Sequence, residues 1–207
     1  MCQPRQNRVT PFGDIVAITQ RGAFMGNRGI LHDDHGQLGR RRWTHKAWIT
    51  CVLQFNNRQR QIMAPRSYTE LFFLDEATAY AAGHRPCAEC RRADYLAFKQ
   101  AMIKVCPELG PNPKAAELDA LLHRFRRDTN GRQNTFDVRF ADVPDTVFFT
   151  DTTERAFVRR DGTVKMWTND GYVSAGCNPA DVVSVLTPRP VFDAIQAGLL
   201  KVQMPPE

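Results

Sequence analysis

Two cysteines separated by two residues, Cys87 and Cys90, have the spacing that says most about chemistry in this chain of 207 residues. A Cys-x-x-Cys turn that opens onto a helix lets both sulfurs converge on one metal ion, and the helix N-terminus favours their negative charge. The same spacing serves thiol–disulfide exchange, which calls for a strand-helix-strand frame that the flanking residues do not offer. A second group is the run His32-Asp33-Asp34-His35, whose oxygen and nitrogen donors suit a catalytic divalent ion or a general base. A charged surface turn explains the same letters. The third group is basic: Arg40, Arg41, Arg42, Lys46, Arg58, Arg60, Arg91 and Arg92 could neutralise phosphates, with Trp43 and Trp48 among them to stack on bases or to pack. Between Arg21 and Arg66 there are nine Lys or Arg residues against only Asp33 and Asp34. Asp119 and His123, one helical turn apart, read as a surface pair.

The elements that would position these residues follow from periodicity and turn chemistry. Ala47 to Phe55 alternates as a strand, with Ile49, Cys51 and Leu53 on the inner face, and Asn56-Asn57 would turn it into a hairpin with Arg58 to Met63. Tyr68 to Leu74 is a further strand. Asp75 is placed to cap a short helix from Glu76 to Ala82, closed by Gly83. The Cys87–Cys90 turn then leads into a helix ending before Pro107, with Tyr95, Phe98 and Met102 at helical spacing. Gly110-Pro-Asn-Pro113 is the best linker, followed by a helix from Lys114 to Arg127. Beyond Thr135 short strands dominate, with a hairpin at Asp161-Gly162, a strand at Val182 to Leu186 and a last helix from Val191 to Ala197.

The bulk properties set the class. A hydrophobic content of 43% and a net charge of +6 describe a globular protein compatible with a polyanionic partner. The longest apolar runs, Ile15 to Ile18 and Leu71 to Leu74, fall far short of the roughly 20 residues needed to span a bilayer. The first residues lead into no apolar segment of signal-peptide type, so the expected compartment is the cytoplasm and no membrane partner is expected. There a close Cys pair is more readily a metal site than a disulfide. Cys2, Cys106 and Cys177 are expected to be free thiols.

The run from Leu71 through Gly83-His-Arg-Pro-Cys87-Ala-Glu-Cys90 to Arg92 resembles the end of the metal-binding domain of the Ada DNA-repair proteins. The resemblance is close over residues 71–92 and loose over about 24–95. It implies one structural Zn2+ held by four side chains, two of them Cys87 and Cys90. The family's upstream pair is not reproduced. His32 falls at the first upstream ligand position, and Cys51 is the leading fourth ligand, with His35 or His45 as substitutes. Ada proteins transfer a methyl group to an upstream zinc-bound cysteine. A histidine at that position cannot act as that thiolate, so methyl transfer is not expected.

These readings give an α+β chain: an Ada-like zinc-knuckle domain of hairpins and helices over residues 1–110, then a helix and a mostly β region over 111–207. The leading functional expectation is a zinc protein that binds nucleic acid, DNA first, through its basic face, in repair or regulation. The alternatives are a metal-dependent nuclease or hydrolase using the His32–His35 turn, and a zinc-stabilised scaffold for a protein partner.

Overall fold

Strands as short as these cannot each bury a face alone, and they are stable only when gathered into sheets and covered by helices. The computed structural model describes residues 4–59, 61–175 and 182–204. Cys2, Arg60 and Cys177 lie outside the described residues. The fold is α+β, with four α-helices and two sheets.

The first sheet comprises β1 (Arg8–Val9), β2 (Ile15–Val16), β3 (Phe24–Asn27), β4 (Ile49–Cys51), β5 (Leu71–Phe73) and β6 (Arg85–Pro86), in the order β2-β1-β5-β3-β4-β6. β1 runs parallel to β5 and β4 parallel to β6, and the other pairs are antiparallel. Gly26 is what allows β3 to lie against β4, because a Cβ there would stand 2.1 Å from the carbonyl oxygen of Ile49. Pro86 lacks an N–H and is tolerated because β6 is an edge strand.

Helix α1 (Glu76–Ala81) starts as expected: Asp75 caps it through Oδ1, which accepts the N–H of Thr78 at 2.8 Å. Gly83 follows its C-cap at φ 84°, a left-handed conformation that glycine adopts without strain. Helix α2 (Arg92–Val105) follows the Cys87–Cys90 turn, α3 (Ala115–Arg126) follows the proline-rich linker, and α4 (Arg189–Gln196) closes the chain. The second sheet, antiparallel throughout, has the order β11-β10-β9-β8-β12-β7. Its strands are β7 (Phe136–Arg139), β8 (Phe148–Thr150), β9 (Ala156–Arg160), β10 (Thr163–Thr168), β11 (Gly171–Ser174) and β12 (Val182–Val185). The Asp161-Gly162 turn joins β9 to β10, with Arg160 opposite Thr163.

The core runs through both sheets. Tyr80, Phe98, Met102, Leu118, Leu122 and Val191 pack together from all four helices, while Ala77 and Ala81 of α1 pack on Phe148 and Val158 of the second sheet and on Leu186 just after β12. Among the described residues no helix is long and apolar enough to cross a membrane.

The expected hairpin after β4 does not form. Asn56 and Asn57 do take left-handed φ values of 49° and 53°, but the described residues after them form no strand before β5, and β4 pairs instead with β3 and β6. The alternation of β4 is right in period and reversed in sense. Trp48 and Thr50 are fully buried, whereas Ile49, Cys51 and Leu53 look into an open cleft. Charged and polar partners on the buried side, described below, outweigh the hydropathy of the individual residues.

Candidate metal centre

The three thiols of Cys51, Cys87 and Cys90 converge, with their sulfur atoms all within 4.8 Å of one another. Cys51 ends β4. Cys87 follows β6, which is held to β4 by Arg85 N–H donating to the Trp48 carbonyl at 3.1 Å and Cys87 N–H donating to the Thr50 carbonyl at 2.8 Å. Strand pairing therefore places a cysteine 36 positions upstream beside the Cys-x-x-Cys turn. Four sulfurs or nitrogens on tetrahedral Zn2+, with Zn–S near 2.3 Å, would put the sulfurs about 3.8 Å apart, so the three thiols need to close by no more than about 1 Å.

Backbone N–H groups surround the sulfurs. Glu89 N–H donates to Cys87 Sγ at 3.4 Å. The Cys90 N–H reaches the same sulfur and the Val52 N–H reaches Cys90. The thiol of Cys51, acting with the Glu89 and Cys90 N–H groups, holds the Cys87 thiol well below its ordinary range, at about 5. Cys51 is pushed far up because its proton serves Cys87 and because it is buried, and Cys90 is raised mainly by burial. The arrangement favours the thiolate form of Cys87, and an ion bound by all three sulfurs would displace the remaining thiol protons.

Two buried arginines hold the turn from both sides. Arg85 grips Asp119 of α3 with a two-pronged ion pair at 2.7 and 2.8 Å. Arg91 pairs with Glu76 of α1, donates to Asp94 at 2.9 Å and to Thr50 Oγ1 at 2.9 Å, and lies over the Phe24 ring at 4.7 Å. The expectation that Asp119 and His123 form a surface pair is therefore corrected. Asp119 is buried on Arg85, and His123 Nδ1 accepts from Arg126 Nε at 3.2 Å.

His32 is not brought to the thiols. Its Nε2 faces the Ala64 carbonyl at 3.2 Å, which can only accept, so Nε2 carries the proton and Nδ1 takes the Thr69 hydroxyl at 2.6 Å. Both ring nitrogens are thereby occupied. His35 and His45 are exposed and do not join the group either. The His32–His35 run forms no second ligand cluster among the described residues. Asp33 Oδ1 accepts the N–H groups of His35 and Gln37, both at 2.9 Å, which closes an Asx-type turn and lowers the Asp33 carboxyl.

The thiols stand at one side of a cleft of about 630 Å3. Phe72, Met25 and Cys51 lie opposite one another across β5, β3 and β4 and all line it. Glu70, two residues before Phe72, lines it too; two strand spacings separate β5 from β4, about 10 Å. One oxygen of Glu70 accepts the Met63 N–H at 2.6 Å, while Oε1 is buried without a hydrogen-bond partner among the described residues. Nothing in the sequence around Glu70 marked it, because its role comes from strand neighbours far away in the chain.

The basic residues divide. Arg40, Arg41, Arg42, Lys46 and Arg92 are exposed, Arg58 is paired with Glu89 at 2.6 Å on the surface, and Arg91 is buried among carboxylates. Arg91 is thus removed from any set of phosphate ligands by its structural duty. In comparisons with known proteins, no family model, curated protein or solved structure matches the chain.

Proposed function

We propose that this protein is a zinc protein in which Cys51, Cys87 and Cys90 hold one Zn2+ and the fourth position faces the cleft. The observation that carries this reading is the convergence of three thiols from two distant segments beside an open cleft, with no fourth Cys, His, Asp or Glu in the group among the described residues. Soft thiolates select zinc over the hard cations, and a site that keeps one position open binds water or a small ligand there. The ion ties β4 to the start of α2. The unpartnered Glu70 Oε1 favours a cleft ligand that carries an N–H or O–H donor. The resemblance of residues 71–92 to the Ada metal-binding domain supports the same metal.

The test is elemental analysis with cobalt substitution. One zinc per chain is expected, reduced by Cys51→Ser, Cys87→Ser or Cys90→Ser and retained by His32→Ala. Cobalt-loaded protein should show thiolate charge-transfer bands, with visible bands that shift when a small ligand such as imidazole is added. Absence of bound metal after anaerobic preparation would remove the proposal.

A second reading concerns nucleic acid. Arg40, Arg41, Arg42 and Lys46 are exposed in one loop together with the half-buried Trp43, which favours binding of a phosphate backbone by that face. Its mark is an affinity for short DNA that falls steeply with salt and is weakened by reversing those charges.

A further inference from the structure

The face of β4 turned away from the cleft carries a cluster that the metal does not use. The ring of Trp48, fully buried, has the guanidinium of Arg28 over it at 4.1 Å, that of Arg126 at 4.2 Å and that of Arg127 at 5.5 Å. Trp43 covers the group, 5.7 Å from Trp48 and 5.8 Å from the Arg127 guanidinium, with its edge against Gly131. Arg28 and Arg126 are buried and Arg127 is half-buried.

Three guanidiniums in one buried place require three negative partners, and these lack them. Among the described residues no carboxylate makes an ion pair with any of the three. Asp119 acts on Arg126 from a distance but is spent on Arg85, Asp14 acts on both Arg28 and Arg127, and Asp128 acts on Arg127, in each case without an ion pair. Backbone carbonyls take some of the donors: Gly13 accepts from Arg28 at 2.8 Å, Gly83 from Arg126 at 2.8 Å, and Lys46 from Arg126 as well. Two donors are left over. Arg28 Nη2 and Arg127 Nε are buried with no hydrogen-bond partner among the described residues.

An arginine does not escape by losing its proton, and a buried cation without a counter-ion is costly. Stacking on tryptophan offsets only part of that cost. Burial lowers the proton affinity of all three, and repulsion from neighbouring arginines lowers that of Arg28 and Arg126 further. The outer groups add to the field: Arg42 acts on Arg28, and Lys46 acts on His123 beside Arg126. Over Gly13 the two incomplete arginines approach each other. The Cβ that this glycine lacks would stand 2.6 Å from Arg127 Nη2 and 3.6 Å from Arg28 Nη2, so both guanidiniums border the same face of Gly13.

We infer that Arg28, Arg126 and Arg127, stacked on Trp48 and covered by Trp43, form a seat for a phosphate-type oxyanion entering beside Arg127. The seat is independent of the metal reading. The phosphate could be a free anion or belong to a nucleic-acid backbone, and the two sources are separable by experiment. Two of the chain's three tryptophans lie in the cluster, so fluorescence reports on it directly.

The test titrates the zinc-loaded wild-type protein with inorganic phosphate, with chloride at matched ionic strength, and with a ten-residue oligothymidylate. Saturable change with phosphate and none with chloride is expected, weakened at least tenfold in Arg127→Gln, whose folding is checked by circular dichroism and metal content. Tighter binding of the oligonucleotide than of phosphate, equally dependent on Arg127, assigns the seat to a backbone phosphate; a response to phosphate alone assigns it to a free anion. Equal responses to phosphate and chloride, or no saturable response in wild type, overturn the inference whether or not the variant folds. Oligonucleotide binding unchanged in folded Arg127→Gln also overturns it, while leaving the surface reading of Arg40 to Lys46 standing.

Discussion

Asp119→Ala tests how the metal turn is held, because this carboxylate is the partner of Arg85, two residues before Cys87. The side chains of Arg85 and Asp119 are 4% and 6% exposed and meet through two hydrogen bonds of 2.7 and 2.8 Å. Removing the carboxylate leaves a guanidinium buried beside Tyr95 with, among the described residues, only the Pro86 carbonyl to take a donor. Breaking a buried pair from one side costs about 3–5 kcal/mol, against about 0–1 kcal/mol for an exposed pair. For a chain of this size that corresponds to a fall in Tm of about 6–20 °C, at roughly 2–4 °C per kcal/mol. The assay is urea and thermal unfolding of the zinc-loaded protein, followed by circular dichroism. The double variant Arg85→Met with Asp119→Leu removes both charges and should recover most of the loss, since well-packed apolar residues replace a buried ion pair at little cost. A loss below about 1 kcal/mol in Asp119→Ala would refute the reasoning, because it would mean that the pair behaves as a solvated one.

Four further outcomes are expected. Acid should destabilise the fold through His123, whose protonation is pushed down to about 4, first by desolvation and then by Arg126, Lys46 and Arg127. The unfolded chain takes up that proton near pH 6.5 and the folded one does not, so stability falls as pH drops from about 6.5 towards 4. Thermal midpoints across that window should fall less in His123→Gln, and parallel curves would argue against the assignment. In metal-stripped protein, alkylation of Cys87 should reach half its maximal rate near pH 5, whereas Cys106, raised by burial to about 11, should stay unmodified at neutral pH. Gly26→Ala should abolish folding or metal uptake, since its Cβ has no space beneath Ile49, and a folded variant with full zinc content would count against the β3–β4 account. Asp75→Ala should cost about 1–3 kcal/mol in urea unfolding, because it removes the α1 cap and the acceptor of the Tyr172 hydroxyl at 2.6 Å; Tyr172→Phe should cost less.

Local chemistry made some parts of this molecule legible from sequence alone. Asp75 and Gly83 bracket α1, the Cys87–Cys90 turn opens α2, the proline-rich linker precedes α3, and Asp161-Gly162 turns β9 into β10. Each of these is decided by neighbours within a few residues, through a cap, a positive φ or a period, and so each is written in the order of the letters. What the letters left open is decided by pairing across distance. Cys51 reaches the Cys-x-x-Cys turn because β4 lies parallel to β6, and His32 is kept away because Thr69 and Ala64 occupy its ring nitrogens. Arg91 reads as a surface cation beside Arg92, yet three partners from separate elements draw it inward. The same holds for Trp48, whose buried side is set by arginines 20 residues before it and 78 and 79 after it. Hydropathy and spacing report what one residue prefers. Which face of β4 is covered, and by which charges, depends on elements that the chain brings together only on folding.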